Sequence, residues 1–146
     1  MHYLGIDLGG TNIAAGILDE NMKIIRKGSA PTGGDRHYSE IIRDMAQLSL
    51  KLLDEAGLTV KDIPYIGIGS PGTVDRENGI LLYSNNIKFD CVPMREEMQK
   101  LIPLPVYLEN DANCAALAEG LVGAARDVED SITVTLGTGI GGGIIL

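Results

Sequence analysis

The chain has 146 residues, 45% of them hydrophobic and 22% charged, which suits one globular α/β domain. Its formal net charge of −8 argues against nucleic acid, which favours a basic surface, and no run approaches the 18 apolar residues of a membrane span. No secretory leader is recognisable, so we expect a cytoplasmic protein without nucleic-acid or membrane partners. The isolated Cys91 and Cys114 are expected to be reduced thiols.

The N-terminal part of the chain predicts three short strands. They are residues 3–8, 13–18 and 22–27. Glycines or turn residues separate these apolar runs. Connections this short exclude parallel pairing, which needs a crossover of a dozen or more residues, so the strands should form an antiparallel meander.

Helices and strands alternate in the rest of the chain. Residues 38–56 place apolar side chains at helical spacing and should form an amphipathic helix that ends at Gly57. Shorter helices are predicted at about 93–101 and 111–123. Further strands are predicted at residues 65–69, 80–83, 106–108 and 131–136, with another beginning near 143–146. This order predicts a mixed sheet covered by helices.

Asp7 is the first candidate functional residue. Strand alternation places it on the face opposite Leu4, Ile6 and Leu8, and a carboxylate inside an apolar strand is costly unless it is paired or near a metal. An edge strand with Asp7 in water is the alternative. The turn Gly9-Gly10-Thr11 follows directly, and its N–H groups and hydroxyl suit a phosphate, while Asp7 can hold Mg²⁺ through water. This context favours a functional role.

Two later glycine clusters match the dinucleotide-binding spacing G-x-G-x-x-G. They are Gly67, Gly69 and Gly72, and Gly137, Gly139 and Gly142. In a dinucleotide-binding fold such a turn opens a helix and is followed about 20 residues later by an acidic residue. Residues 73–79 are rich in turn formers instead, and only four residues follow Gly142. The spacing therefore does not predict NAD binding.

A polar cluster, Glu109-Asn110-Asp111-Ala112-Asn113, lies between a predicted strand and an alanine-rich helix. One Asn or Asp is expected there as the helix cap, and this cluster has more than capping needs. Side chains at the carboxyl end of a strand face the crevice where α/β proteins bind ligands. Asp111 would stay ionised at the helix N-terminus, and a fixed carboxylate that accepts a hydroxyl proton suits phosphoryl transfer to an alcohol.

Four motifs occur in order along the chain: Leu4-Gly5-Ile6-Asp7-Leu8-Gly9-Gly10-Thr11, Gly67-Ile68-Gly69-Ser70-Pro71-Gly72, Glu109-Asn110-Asp111-Ala112-Asn113 and Gly137-Thr138-Gly139-Ile140-Gly141-Gly142-Gly143. Together they resemble the ROK family (repressors, open reading frames and kinases). The resemblance covers the whole chain but only the first half or so of a family member. It implies the ribonuclease-H-like fold of the actin and hexokinase superfamily, and ATP-dependent phosphorylation of a hexose in a cleft between two domains. Residues 1–146 would be the N-terminal domain, with the C-terminal domain absent from this chain.

The resemblance also implies roles for individual residues. Asp111 would be the general base. The sugar would be held by Asn110, by Asn86 and by the backbone near Gly72, although a plain loop role for Asn86 is equally good. ATP phosphates would be bound by Asp7, Gly9, Gly10 and Thr11, with Mg²⁺ on Asp7 through water, and by Gly137, Thr138 and Gly139.

The chain departs from the family pattern in ways that affect activity. Asn12 stands where many members carry Lys, which removes one cation near the phosphates. The family's zinc motif, its Glu-x-x-His sugar contacts and its adenine-binding half are expected only in the missing C-terminal half. We therefore expect the fragment alone to be inactive and its parent to be a glucokinase-like enzyme, a homodimer or higher homo-oligomer.

Other functions stay open at this stage. A sugar-sensing ROK transcriptional regulator would share this domain, preceded by a DNA-binding helix-turn-helix, and Asp7 lies too near the start for one to fit within this chain. A non-catalytic sugar-binding domain is a related alternative. A distant actin- or Hsp70-like ATPase is disfavoured by the sugar-type pair Asn110 and Asp111.

Overall fold

The computed structural model describes residues 1–137 and 139–146. In this part of the chain the strands are β1 (Tyr3–Leu8), β2 (Asn12–Leu18), β3 (Ile24–Pro31), β4 (Ile66–Ser70), β5 (Thr73–Asp75), β6 (Ile80–Tyr83), β7 (Asp90–Val92), β8 (Val106–Asn110), β9 (Ser131–Leu136) and β10 (Ile140–Ile145). The α-helices are α1 (Tyr38–Glu55), α2 (Met94–Leu101) and α3 (Asp111–Val122). None of the described helices is long and apolar enough to cross a membrane.

A five-stranded mixed sheet in the order β3-β2-β1-β4-β8 forms the centre of the fold. The meander β1-β2-β3 is antiparallel, as predicted, whereas β1, β4 and β8 run parallel to one another. The third strand begins at Ile24 rather than at residue 22. The reason is the preceding turn, in which the Asp19 carboxylate accepts hydrogen bonds from the backbone N–H groups of Asn21 and Lys23.

The predicted faces of β1 and α1 are confirmed. Leu4, Ile6 and Leu8 are at most 3% exposed and belong to one core cluster with the apolar stripe of α1. Burial of side chains of this size stabilises the fold by about 1.5–3 kcal/mol each. Gly57 follows α1 with φ +69°, a conformation that favours glycine and ends the helix.

The glycines near the C-terminus lie inside a strand, which corrects the sequence prediction of a loop followed by a new strand. Residues 141–143 belong to β10, which pairs antiparallel with β9. Helix α3 packs across this hairpin. A Cβ at Gly143 would lie 2.5 Å from the Cβ of Ala116, so glycine here permits close approach of the helix. A second correction concerns residues 73–79, where the short strand β5 precedes the turn and pairs with β6.

One face of the central sheet is covered and the other is open. Helices α1 and α2 pack on the first face. The middle of the second face carries several small residues, and a Cβ at Gly5 or Gly67 would meet nothing within 4 Å. Together with α3 this face forms a groove of about 1020 Å³. The groove extends over the sheet face past Gly5 and Gly16, and its lining includes Asp7, near the carboxyl end of β1, and Asp111, directly after β8.

Candidate functional site

The three parallel strands β1, β4 and β8 bring the sequence motifs to one edge of the sheet. In the register of these strands, Asp7 lies beside Gly69 and Gly69 beside Glu109. The chain leaves each strand at this same edge, through Gly9-Gly10 after β1, Gly72 after β4 and Asp111 after β8. Ligands of open α/β sheets bind at such an edge.

Asp7 and Asp111 line the same groove. Partial burial raises the pKa of Asp7 above its ordinary value, and the negative charge of Asp111 raises it further. Two carboxylates in one groove repel each other, so a cation or a proton donor placed between them would be stabilised. This electrostatic arrangement suits a site that handles both a metal-bound phosphate and a hydroxyl proton.

Replacing Asp7 with Asn is expected to stabilise the fold at neutral pH. Because the pKa of Asp7 is higher in the folded than in the unfolded chain, the stability it contributes is present below the ordinary pKa of 3.8 and is lost as pH rises through the raised value. The melting temperature of D7N should therefore exceed that of the parent at pH 7 and match it near about pH 3.

The control for this prediction is Asp35→Asn, whose effect has the opposite sign. A hydrogen bond from Lys88 lowers the pKa of Asp35, so its contribution to stability is present at neutral pH and is lost as pH falls. D35N should melt at or slightly below the parent temperature at pH 7. A lower melting temperature for D7N than for D35N at pH 7 would contradict the electrostatic account of Asp7.

The turn after β1 is tight, and hydrogen bonds within the turn and from Thr32 hold it in place. The Gly9 N–H donates to the Asn12 carbonyl at 2.9 Å, and a Cβ at Gly9 would lie only 2.7 Å from that oxygen. Thr32, which is fully buried, ties the turn to the end of β3, since its hydroxyl donates to the Gly9 carbonyl at 2.7 Å and its N–H to the Thr11 carbonyl at 2.8 Å. The sequence contained no signal for this role of Thr32.

Asn86 lies against the same turn. A Cβ at Gly10 would be 3.0 Å from the Cβ of Asn86, and both residues line a small cavity of about 270 Å³. The predicted phosphate turn and the predicted sugar loop are therefore direct neighbours. This small cavity is separate from the groove that holds Asp7 and Asp111.

Asn110 caps α3 and also links it to Gly72. Its Oδ1 accepts hydrogen bonds from the N–H groups of Ala112 at 3.0 Å and Asn113 at 3.3 Å, as an N-cap does. Its Nδ2 donates to the Gly72 carbonyl at 3.1 Å. An amide nitrogen carries two protons, so the second N–H is left for a ligand. Capping and ligand binding are thus compatible in this one side chain.

Asp111 uses one carboxylate oxygen locally. Its Oδ1 accepts from the Ala112 N–H at 2.8 Å, which holds the carboxylate at the N-terminus of α3. The second oxygen lies outside this bond and can accept a proton from a ligand hydroxyl.

Gly137 and Gly139 of the third glycine cluster lie between β9 and β10. The Gly137 N–H donates to the Gly139 carbonyl at 2.9 Å, and Thr135 of the same hairpin lines the groove. Thr138, predicted as a phosphate contact, lies outside the described residues. Its proposed role stays a prediction.

Two residues that the sequence analysis did not assign join the site through an ion pair. Arg76, in the turn between β5 and β6, donates from Nη1 to Oε2 of Glu109 at 2.9 Å. Glu109 belongs to the polar motif, which could have suggested a role. Nothing in the sequence paired it with Arg76, which is 33 residues away.

The residues present fit the Mg²⁺ that the resemblance implies. Among residues 1–137 and 139–146, no three His, Cys, Asp or Glu side chains are grouped to hold a metal ion by themselves. Mg²⁺ needs no such cage, because it commonly binds one or two carboxylates together with substrate phosphates and water. Asp7 faces the groove beside a second carboxylate and meets that requirement.

Comparison with known proteins agrees with the fold and with the family resemblance of the motifs. The model of the ROK family matches residues 3–146. A glucokinase from Thermotoga maritima is 41% identical over 146 residues, which cover 99% of this chain and 44% of that protein. A xylose repressor from Caldicellulosiruptor bescii is 36% identical over 153 residues, covering 98% of this chain and 36% of that protein. A ROK family glucokinase from Streptomyces griseus, solved in complex with glucose and AMPPNP, superposes with a TM-score of 0.90 at 34% identity, covering 100% of this chain and 45% of that one.

The architecture is therefore the actin- and hexokinase-like fold of sugar kinases. The chain belongs to the ROK family, which confirms the resemblance seen in its four motifs. It spans less than half the length of the relatives described above.

Proposed function

We propose that this chain is the N-terminal, sugar- and phosphate-binding half of an ATP-dependent hexose kinase. The observation that carries the proposal is that Asp7, near the carboxyl end of β1, and Asp111, directly after β8, line one groove, with β4 between these two strands. The related glucokinase solved with glucose and AMPPNP supports this assignment. We favour glucose among the hexoses because glucokinases are among the similar proteins.

In this proposal the sugar lies at the N-terminus of α3. A sugar hydroxyl donates its proton to Asp111 while its oxygen bonds to the γ-phosphorus of ATP. The bond from that phosphorus to the β,γ-bridging oxygen breaks, and ADP leaves with the electron pair. The free N–H of Asn110 and the backbone near Gly72 orient the sugar, and Asn86 contributes from the adjoining loop. Such catalysis consists mainly of positioning and electrostatic stabilisation.

The phosphates are bound by local groups in a protein whose net charge is −8. We assign this role to the turn Gly9-Gly10-Thr11 and to the hairpin turn with Gly137, Thr138 and Gly139. Mg²⁺ bound through water to Asp7 would neutralise phosphate charge. Backbone N–H groups in glycine turns bind anions without a basic side chain, so the absence of Lys at position 12 is compatible with the role.

A second candidate function is that of a sugar-sensing regulator. The observation that favours it is the similarity to a xylose repressor over nearly the whole chain. A regulator would use the same sugar-binding edge without phosphoryl transfer. It would also need a DNA-binding segment outside residues 1–146.

The test is phosphorylation of a panel of hexoses by the full-length protein with ATP and Mg²⁺, followed by ADP release and sugar phosphate analysis. We expect glucose to be turned over, and the 146-residue chain alone to be inactive because the adenine-binding half is proposed to lie beyond it. Sugar binding without turnover, together with sugar-dependent DNA binding, would favour the regulator. Gel filtration would test the proposed homo-oligomer.

A further inference from the structure

Glu109 makes an unusual set of contacts directly before the proposed base. Its Oε1 accepts hydrogen bonds from the backbone N–H of Asn110 at 2.7 Å and from Nδ2 of Asn113 at 3.0 Å. Its Oε2 accepts from Nη1 of Arg76 at 2.9 Å, and the Glu109 side chain is 28% exposed. One carboxylate therefore joins the end of β8, the first turn of α3 and the β5–β6 turn.

These contacts keep Glu109 ionised. Partial burial by itself would raise the pKa of Glu109. The hydrogen bonds from Asn113 and from the Asn110 N–H, with the charge of Arg76, outweigh burial and lower the pKa below its ordinary value. Charge-assisted hydrogen bonds of this kind are shorter and stronger than neutral ones.

Helix capping does not account for Glu109. The N–H groups of Ala112 and Asn113 already have acceptors, because Asn110 and Asp111 accept from Ala112, and Asn110 also accepts from Asn113. Glu109 instead holds the N–H of Asn110, the residue whose side chain contacts Gly72. Glu109 therefore restrains the backbone at Asn110, the proposed sugar contact, directly before Asp111, the proposed base.

Arg76 offers a firm anchor because its own backbone is fixed. Arg95 donates from Nη2 to the Arg76 carbonyl at 2.8 Å, from Nη1 to the Glu77 carbonyl at 2.6 Å, and from Nε to the Val106 carbonyl at 3.0 Å. A Cβ at Gly79 would lie 2.4 Å from the Cβ of Arg95, so the turn and Arg95 are in tight contact. The turn is thereby held against the start of β8.

We propose that Glu109 is a positioning residue for phosphoryl transfer. It fixes the backbone of Asn110 and Asp111. Through Arg76 it also sets the distance between the β5–β6 hairpin, which follows Gly72, and the proposed base Asp111. The inference rests on the proposed function. Two links would then set that distance, the Arg76–Glu109 ion pair and the hydrogen bond from Asn110 to the Gly72 carbonyl. A displacement of about 1 Å at such a site can cost about 100-fold in rate.

The test uses E109A, E109Q, R76A and the double variant R76A/E109A in the full-length protein, with kcat and both KM values measured. E109A should lower kcat at least about tenfold and raise KM for the hexose, with KM for ATP unchanged. E109Q should stay within about threefold of the parent, because its amide oxygen still accepts from the Asn110 N–H. R76A should have a smaller effect, and none in the E109A background, since the two residues act as one unit.

The matched control is Glu96→Gln, which removes a similar ion pair, with Lys100 at 2.8 Å on α2. E96Q should leave all constants unchanged. If the melting temperature of E109A is well below that of E96Q, R76A becomes the test variant instead. A lowered kcat in R76A, at the melting temperature of the parent, then supports the proposal. A rise in KM for ATP alone in R76A would make Arg76 a phosphate contact and would overturn it.

Failure of the positioning role and failure of the proposed function give different results. Parental kinetics in E109A, with Asp111→Asn inactive, would overturn the role of Glu109 and leave the kinase assignment standing. Parental kinetics in both variants would overturn the role of Asp111 as base together with the positioning role. No hexose phosphorylation by the unmodified full-length protein would overturn the proposed function and with it this inference.

Discussion

Replacing Asp111 with Asn is expected to lower kcat for hexose phosphorylation by the full-length protein by about 100- to 10,000-fold, the range typical of a lost general base. Asn keeps an oxygen that can accept from the Ala112 N–H, as Oδ1 does at 2.8 Å in the parent. The helix cap and the fold should therefore survive, and KM for the sugar should change little. The measurement is steady-state turnover at saturating ATP and hexose, with melting temperature as the check on folding.

Asp130→Asn is the matched control for charge. Asp130 is exposed in the loop before β9, so the same loss of one negative charge there should leave turnover unchanged. If D111N kept more than about a tenth of the parental kcat, proton transfer would have to depend on another group. The assignment of Asp111 as base would then be wrong, even if hexose phosphorylation itself were established.

Replacing Gly72 with Ala is expected to lower the free energy of unfolding by about 2–4 kcal/mol. Gly72 has φ +91°, and a Cβ there would lie 2.0 Å from the carbonyl oxygen of Tyr83 and 2.9 Å from the Cα of Ser84. Both are backbone atoms, which cannot move aside as a side chain could. The Gly72 carbonyl also accepts from Asn110, so any shift of this turn disturbs the proposed sugar site.

Gly67→Ala is the control for this prediction. Gly67 lies on the neighbouring strand β4, and a Cβ there would meet nothing within 4 Å. Both substitutions reduce the freedom of the unfolded chain in the same way, so their difference isolates strain in the folded state. In urea unfolding G67A should lie within about 0.5 kcal/mol of the parent. Equal losses for G72A and G67A would show that the positive φ and the close contact with Tyr83 are not costly.

Local patterns predicted most of the elements and the composition of the site. Alternation in β1 identified both the buried face of Leu4, Ile6 and Leu8 and the opposite placement of Asp7, because side chains of a strand alternate whatever it pairs with. Helical spacing identified α1 for a similar reason. The surplus of polar groups around Asn110 identified the N-terminus of α3, where the structure places both a cap and a link to Gly72.

The features that the sequence analysis missed are those that depend on contacts between residues far apart in the chain. Gly141, Gly142 and Gly143 had the composition of a loop, yet they form a strand that pairs with β9, and α3 packs closely against Gly141 and Gly143. Thr32 had no local signal, and its role depends on the turn at Gly9, 23 residues earlier. Glu109 belonged to a polar motif, but no local pattern linked it to Arg76, which the β5–β6 hairpin brings to the end of β8.

The amino-acid sequence alone determined the family, the order of most strands and helices, and the candidate residues, because these depend on short motifs and on the periods of strand and helix. Only the tertiary structure decided which of those residues share a groove. Parallel pairing of β1, β4 and β8 aligns the strand ends that carry Gly9-Gly10, Gly72 and Asp111. These strand ends are far apart in the sequence, so no local pattern could predict that they lie close together. The backbone hydrogen bonds of the folded sheet bring them together.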